Sequence, residues 1–256
     1  MHRRLSAIRV AITIVIAIML LTSGTRATLY VLGELVVKME DGFDVGIIND
    51  EFGTSVGQHL PLIDVYLLNG NPEYNLDSLS VYIARTDGVE FCHPNYRVDP
   101  LQPVQGSIPF SDNQFIGSYE NQTASSELNL AGTHSVSTGD GITVAVLDGG
   151  VNYTHPAFEG RVESGWDYVD DDSDAMDEPS GENSGHGTFV AGVIHLVAPE
   201  AMIRAYRVTD IEGESNGYVV AEAIMQAVAD GCRVINLSMV MLGEHLAIAD
   251  AVQYAN

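Results

Sequence analysis

The second half of the chain alternates between short, almost continuous apolar runs and longer amphipathic stretches. Three of the apolar runs are predicted strands: residues 142–147, 201–208 and 233–237. Three of the amphipathic stretches are predicted helices: residues 187–196, 217–229 and 243–254. Continuously apolar strands that alternate with helices are typical of a parallel sheet covered by helices on both faces. The pattern therefore predicts an α/β fold for this part of the chain.

The first half of the chain has a different pattern, with fewer and shorter elements. Predicted strands cover residues 32–40, 60–69 and 89–98, and predicted helices cover residues 44–52 and 76–88. The second of these helices is expected to stop at Gly88, because glycine favours helix ends. Strands and helices alternating within one short segment predict a small α+β domain with an antiparallel sheet.

The first 27 residues have the features of a secretory signal peptide. Arg3, Arg4 and Arg9 form a basic start, residues 10–21 are mostly apolar, and small residues lead to Ala27. A basic start, a short apolar core and small residues are typical of such signals. The apolar run is short for a membrane span, although an uncleaved anchor is the alternative. We expect a secreted protein that loses residues 1–27 and has no membrane association afterwards.

Residues 99–122 separate the two patterned regions. This stretch is rich in Pro, Gly, Ser, Asn and Gln and has little periodicity, which is typical of a loop. We therefore predict a domain over residues 28–98, a linker with a processing site, and a second domain over residues 123–256. Cys92 and Cys232 fall in different domains and are predicted to be free, buried thiols.

The charge of the chain narrows the range of partners. The 35 acidic residues outnumber the 11 basic ones and give a formal net charge of −24. Such a charge opposes binding to nucleic acid and suits a soluble protein in a salty or extracellular setting. Nucleic acid is therefore excluded as an expected partner.

Two side chains in the second half form a candidate catalytic pair. Asp148 directly follows a predicted buried strand, and His186 opens a predicted helix between two glycines. In open α/β sheets, functional groups gather at the carboxyl ends of strands. Each residue alone has an ordinary structural interpretation, as a turn-capping aspartate or a structural histidine. Together they suit a carboxylate that orients an imidazole for proton transfer.

The segments around this pair resemble a known enzyme family. VAVLDGGVNYTHPAFEGRV and SGHGTFVAG are similar to the Asp and His blocks of the subtilisin-like serine proteases, or subtilases (peptidase family S8). The resemblance implies a subtilisin-like fold and a secreted endopeptidase that cleaves proteins or peptides through an acyl-enzyme. It makes Asp148 the orienting carboxylate and His186 the general base. Gly149 and Phe189 depart from the family, which usually has Ser or Thr and a second His there.

The first domain also resembles a part of these enzymes. GELVVKM, LPLIDVYLL and VEFCHPNYRV are similar to segments of the inhibitory propeptide of subtilases (inhibitor I9 type). The resemblance implies a ferredoxin-like domain that assists folding, and its C-terminal tail would lie in the substrate cleft until it is cut. The chain's own propeptide is then one of its partners. The alternative is an unrelated small domain.

The segment Asn236, Leu237, Ser238, Met239 resembles the subtilase strand that lines the substrate cleft. Such a strand binds an extended peptide through main-chain hydrogen bonds and leaves specificity to side-chain pockets. The family usually continues with Leu and Gly after this serine, whereas this chain has Met239 and Val240. The bulkier Val240 is expected to narrow the first specificity pocket.

An acidic loop precedes His186 and is a candidate calcium site. Four of its carboxylates are the proposed ligands: Asp167, Asp170, Asp172 and Asp174. Calcium takes six to eight oxygen ligands from loops of this kind, and some subtilases carry calcium in the loop before the catalytic histidine. Such an ion would be structural, and no organic cofactor is expected. The alternative is a solvated loop in an acidic protein.

A serine protease also needs a nucleophile and an oxyanion hole. In subtilases both lie C-terminal to the cleft strand, the serine in a Gly-Thr-Ser-Met-Ala-type segment. The only GTS here ends at Ser55, within the propeptide-like region, and Ser238 belongs to the cleft strand, so neither is the predicted nucleophile.

We therefore expect the N-terminal part of a subtilase that is inactive alone, as a fragment or a split or frameshifted gene would give. The alternative is a binding protein. In that case, a genuinely short chain would use its propeptide-like domain to inhibit or chaperone a full-length protease.

Overall fold

A computed structural model describes residues 29–98, 123–239 and 245–256. The predicted signal peptide (1–27), the predicted linker (99–122) and Val240 lie outside these residues. Among the helices in the described ranges, none is long and apolar enough to cross a membrane.

The first described region is an antiparallel sheet covered by two helices. Its elements are β1 (Tyr30–Met39), α1 (Gly46–Phe52), β2 (Ser55–Leu60), β3 (Val65–Asn69), α2 (Leu76–Ile83) and β4 (Val89–Val98). The strands pair in the order β2-β3-β1-β4. Leu35 and Leu68 of the sheet are fully buried together with Ile48 of α1 and Ile83 of α2. This arrangement confirms the predicted α+β domain.

Residues 60–69 were predicted as one strand. In the structure they contain the last residue of β2, a turn, and the whole of β3. The chain turns between Leu60 and Val65: the Ile63 backbone N–H donates to the Leu60 carbonyl at 3.2 Å, and Asp64 has a φ of 53°. Pro61 begins the turn and has no N–H to donate to a sheet. The extra strand β2 was missed because it lies at the sheet edge and is mostly exposed, so it lacks an apolar run.

The second described region contains the predicted parallel sheet. Its elements are α3 (Thr123–Glu127), α4 (Leu130–His134), β5 (Thr143–Asp148), β6 (Val162–Asp167), α5 (His186–Val197), β7 (Met202–Arg207), β8 (Ser215–Asn216), α6 (Gly217–Ala229), β9 (Val234–Leu237) and α7 (Leu246–Ala255). Four strands pair in parallel in the order β6-β7-β5-β9. The α/β prediction for this region is confirmed.

Strand β6 was not among the predicted elements. It is an edge strand whose middle residues are partly exposed, and Gly165 interrupts any apolar pattern. The glycine is needed because a Cβ at this position would lie 2.6 Å from the Ala205 carbonyl oxygen of the neighbouring strand. Close packing against β7 therefore requires Gly165, and the same glycine breaks the apolar pattern by which a strand is predicted from sequence.

The last strand of the first region also pairs with the second region. Strand β4 runs antiparallel to β8, with Arg97 opposite Asn216 and Val98 opposite Ser215. Strand β8 of the second region is therefore the fifth strand of the antiparallel sheet. Arg97 also forms an ion pair with Glu214 at 2.5 Å.

Two polar contacts strengthen this interface. The buried Asn95 accepts a hydrogen bond from the Tyr218 backbone N–H at 3.2 Å and donates to Glu34 Oε2 at 2.7 Å. The Lys38 ammonium pairs with Asp250 of α7 at 2.7 Å. The first region is thus docked on α6 and α7 by specific groups as well as by apolar packing.

The two cysteines are free in the structure. Both are half-buried rather than fully buried, as their positions beside the two cores require. Burial raises the pKa of the Cys92 thiol to about 12. The prediction of free thiols is therefore confirmed.

Candidate active site

Asp148 is the last residue of the central strand β5. The preceding residues Ala145, Val146 and Leu147 are fully buried, and β7 and β9 flank the strand on its two sides. The aspartate itself is only 3% exposed. A continuous apolar run therefore carries one carboxylate to the carboxyl edge of the sheet, where α/β proteins place functional groups.

His186 is the first residue of α5 and faces this carboxylate. Its Nδ1 lies 2.8 Å from Asp148 Oδ1 and 3.0 Å from Oδ2. A neutral imidazole in this contact donates from Nδ1–H, which leaves the Nε2 lone pair free to accept a proton. The Gly149 backbone N–H donates to Asp148 Oδ1 at 2.8 Å and fixes the carboxylate. The pair therefore has the geometry of a base and its orienting group.

The electrostatics of the pair favour a protonated imidazole. The hydrogen bond to Asp148 raises the pKa of His186, burial opposes this, and the charges of Asp148 and Asp177 raise it further. The imidazole side chain is 23% exposed, so substrate can reach it while the carboxylate stays covered. Stabilisation of the imidazolium is what proton transfer through a histidine requires.

A glycine next to the histidine allows this close approach. A Cβ on Gly187 would lie 2.1 Å from the Gly150 carbonyl oxygen and 3.1 Å from Asp148 Cβ. No side chain fits in that space, because real Cβ contacts are longer. Gly187 therefore permits α5 to pack directly on the end of β5.

The departure at Gly149 has a structural counterpart in the loop before His186. A Cβ on Gly149 would lie 2.3 Å from Asn183 Nδ2. Asn183 is buried, donates to Thr209 Oγ1 at 3.0 Å, and its carbonyl accepts from the His186 backbone N–H at 3.1 Å. The Asn183 amide thus fills the place where a serine side chain would project, and it anchors the histidine loop there.

The four carboxylates predicted to bind calcium do not converge. Asp172 accepts from the Asp174 backbone N–H at 2.8 Å, and Asp174 accepts from the Tyr153 hydroxyl at 2.6 Å. Asp167 and Asp170 instead bind a guanidinium. Within the described ranges, no group of three or more His, Cys, Asp or Glu side chains could hold a metal ion. The residues therefore do not fit the predicted calcium site.

The positive charge that faces this acidic loop comes from Arg207, the last residue of β7. Its Nη1 lies 2.9 Å from Asp167 Oδ2 and 2.6 Å from Asp170 Oδ2, and Glu178 is 3.6 Å away. The Arg207 side chain is only 5% exposed. Buried charges need such partners because desolvation is costly. Arg207 thus supplies a positive charge to Asp167 and Asp170, two of the four carboxylates that suggested a metal.

This arrangement predicts that chelation does not affect stability. Because Arg207 supplies the positive charge, we expect the same melting temperature for the 256-residue chain with and without EDTA. Differential scanning fluorimetry in metal-free buffer measures this, with calcium added back as the control. If EDTA lowers the melting temperature by several degrees and added calcium reverses the change, the predicted calcium site would be supported after all.

The segment predicted to line a substrate cleft consists of the last two residues of strand β9, Asn236 and Leu237, and the two residues that follow the strand. Asn236 and Leu237 pair with Val146 and Leu147 of β5, and β9 is the edge of the described parallel sheet. Asn236 Nδ2 donates to Ser238 Oγ at 2.9 Å, and Met239 is buried. An edge strand can accept an extended peptide, so the role of these four residues stays a prediction.

Sequence reasoning did not single out Asp177, Asn183 or Arg207. Two of them bind partners that are distant in sequence: Asn183 is 26 residues from Thr209, and Arg207 is 40 residues from Asp167. Asp177 binds Gly185 and Thr188, 8 and 11 residues away, within a loop that has many other acidic side chains. The arginine stands at the end of a predicted strand beside the sheet edge that carries Asp148. That position, in a chain with few basic residues, is the signal that could have identified it.

Comparison with known proteins gives relatives for both regions. Residues 139–253 match the subtilase family, and residues 22–95 match the fervidolysin N-terminal prodomain. The thermophilic serine proteinase of Bacillus sp. (strain AK1) is 38% identical over 125 residues, covering 45% of this chain and 30% of that protein. The minor extracellular protease Vpr of Bacillus subtilis (strain 168) is 40% identical over 114 residues, covering 40% of this chain and 14% of that protein. The chain therefore spans less than half the length of these relatives.

A solved structure matches both regions together. Fervidolysin from Fervidobacterium pennivorans, described as a keratinolytic enzyme related to subtilisin, superposes with a TM-score of 0.69 at 26% identity. The superposition covers 91% of this chain and 39% of that chain. It confirms the predicted fold class of both regions, including the prodomain in front of the parallel sheet.

Proposed function

We propose that this chain carries the aspartate and histidine of a secreted subtilisin-like serine endopeptidase, because residues 139–253 match the subtilase family and residues 22–95 match the fervidolysin N-terminal prodomain. The observation that carries the proposal is the contact between His186 Nδ1 and the Asp148 carboxylate at 2.8 Å. In this proposal Asp148 orients the imidazole and His186 is the general base.

The chemistry follows from that contact. Nε2 of His186 takes the proton of a serine hydroxyl while the serine oxygen attacks the peptide carbonyl carbon. The same imidazole then gives the proton to the leaving amine, and water later hydrolyses the acyl-enzyme. Asp148 stabilises the imidazolium in both transfers and holds the ring in one tautomer.

The substrates proposed are proteins or peptides bound in extended form. Two strands support this: β8 already pairs with the prodomain strand β4, and the β9 edge is followed by the proposed cleft residues Ser238 and Met239. Strand addition of this kind fixes a peptide through its backbone. The pairing of β4 with β8 also supports the prodomain as the chain's own first ligand.

Secretion is part of the proposal. Vpr, one of the relatives, is named an extracellular protease. The basic start and apolar core of residues 1–27 support export of this chain as well.

We propose in addition that the 256 residues are inactive by themselves. Among the described residues, the side-chain hydrogen bonds of His186 go only to Asp148, and no serine oxygen contacts Nε2. An acyl-enzyme needs a nucleophile in contact with this base, and the described residues place none there.

The test is hydrolysis of an unstructured protein by the purified chain, beside His186→Ala and with labelling by a serine-reactive fluorophosphonate. We expect no difference between the two proteins and no labelling. Hydrolysis that disappears in His186→Ala would reveal a nucleophile within the chain, and Ser55→Ala and Ser238→Ala would identify it. Downstream nucleotide sequence tests the enzyme assignment separately: a GTSMA-type segment there supports a peptidase.

The second candidate function is inhibition or chaperoning of another protease by the prodomain. The specific contacts of Asn95 and Lys38 with the second region favour it, because the same surface could dock on a homologous enzyme. In this chain, however, that surface is already covered by α6 and α7. We therefore expect no inhibition when the intact chain is added to an active subtilase, and stoichiometric inhibition would favour this candidate instead.

A further inference from the structure

Helix α5, which begins at His186, lacks an ordinary N-terminal cap. The capping position is Gly185, which has a φ of 81° and no side chain to accept a hydrogen bond. Ser, Thr, Asp and Asn are preferred there, because their side chains can satisfy a free backbone N–H of the first turn. The first turn of α5 is where the candidate base lies, so its order decides where the imidazole points.

Asp177, from the loop nine residues earlier, takes over this role. Its Oδ1 accepts from the Gly185 backbone N–H at 3.0 Å, and its Oδ2 accepts from the Thr188 hydroxyl. The backbone N–H of Thr188 donates to the same carboxylate. One carboxylate thus holds the residue before His186 and the residue two positions after it. A negative charge at a helix N-terminus is also favourable.

The contact continues to the segment that follows Asp148. Thr188 Oγ1, while donating to Asp177, accepts from the Asn152 backbone N–H at 2.8 Å. Asn152 lies four residues after Asp148, on the chain that leaves β5. The chain of hydrogen bonds from Asp177 through Thr188 to Asn152 therefore connects the two segments that supply the pair.

Asp177 is also electrically coupled to the pair. Burial raises the pKa of Asp177, the nearby charge of Asp148 raises it as well, and the hydrogen bonds from Thr188 and Gly185 oppose the rise. The charged groups around it are Asp148 on β5, His186 on α5, and Arg207 on β7, which contacts the adjacent Glu178. A second carboxylate on this side of the imidazole stabilises its protonated form.

We propose that Asp177 is a positioning residue for His186, which it holds against Asp148 by capping α5 from outside the helix. Its carboxylate replaces the cap that Gly185 cannot provide, and its charge stabilises the imidazolium. The proposal rests on the proposed function for its catalytic meaning, but its structural content can be measured in the chain as it is, without hydrolysis.

The test is the titration of His186 followed by NMR in the 256-residue chain. Asp177→Asn keeps the shape of the side chain and removes its charge, so we expect the His186 midpoint to move to lower pH. The matched control is Glu182→Gln, which removes one charge from the same loop at an exposed side chain. The control is expected to leave the midpoint at its wild-type value. An unchanged midpoint in a folded Asp177→Asn chain overturns the proposal.

A second variant covers the case in which Asp177→Asn does not fold. Thr188→Val keeps the volume and removes only the hydroxyl that links Asp177 to Asn152. We expect faster solvent exchange of the His186 Nδ1 proton and a melting temperature lowered by about 2–4 °C, the size of losing one cap in a chain of this length.

Asp177→Glu is the rescue variant and is expected to restore the His186 midpoint. Thr188→Val with wild-type exchange and wild-type melting overturns the proposal. Because neither readout depends on a nucleophile, an inactive chain does not count against it, and a shifted midpoint does not by itself establish the protease.

Discussion

Replacing His186 by alanine is expected to lower the turnover of the proposed peptidase about 10⁶-fold, the size of the loss for the catalytic histidine of subtilisin. The physical reason is that Nε2 of His186 is the proposed acceptor of the serine proton, and no other imidazole contacts Asp148 among the described residues. The measurement is kcat on an unstructured protein. It uses a form of the enzyme in which these residues are accompanied by the nucleophilic serine. Near-normal kcat in this variant would contradict the assignment.

Asp148→Asn separates orientation from proton transfer. An asparagine amide keeps the shape but can present its NH₂ to Nδ1, which favours the wrong tautomer and costs about 10⁴-fold in related triads. It also removes the charge that raises the pKa of His186. Since the base works only when neutral, the wild-type rate rises with pH through this pKa, and the rise in the variant is expected at lower pH. A rate profile with the same midpoint in both proteins would mean that another group titrates.

The sequence predicted the bounds of an element most accurately where its residue pattern is compatible with only one type of secondary structure. Strand β5 and helix α6 were predicted to within one residue of their observed bounds, because continuous apolar burial and amphipathic spacing are unambiguous. The edge strands β2 and β6 were missed because half-exposed strands need no apolar run. The sequence therefore reveals the buried centre of the fold better than its edges.

The same distinction applies to the candidate site. Asp148 and His186 were predicted to meet, since a strand end and a helix start are visible in sequence. The partners of the acidic loop were not, because Arg207 reaches Asp167 through the tertiary fold. Four aspartates at close spacing look alike whether a metal, an arginine or water neutralises them. Composition predicts that a charge needs a partner, and only packing identifies the partner.

Gly187→Ala is expected to lower the free energy of unfolding of the 256-residue chain by about 3 kcal/mol, which is the upper part of the usual range for overpacking. The added Cβ would lie 2.1 Å from the Gly150 carbonyl oxygen, so α5 must move away from β5. Alanine is favoured over glycine in helices by about 1 kcal/mol, so propensity alone predicts the opposite sign. The expected movement also lengthens the contact between His186 and Asp148.

Thermal unfolding measures the loss of stability, and the exchange rate of the His186 Nδ1 proton measures the contact with Asp148. The matched control is Gly70→Ala, where the nearest side-chain atom would lie at an ordinary 3.6 Å. We expect a melting temperature about 6–12 °C lower for Gly187→Ala and a change of at most a few degrees for the control. Wild-type stability in Gly187→Ala would mean that the backbone after β5, including Gly150, moves away from the added Cβ at little energetic cost. In that case, the contact between His186 and Asp148 would depend on the loop contacts of Asp177 and Asn183 rather than on close packing of the helix against the strand.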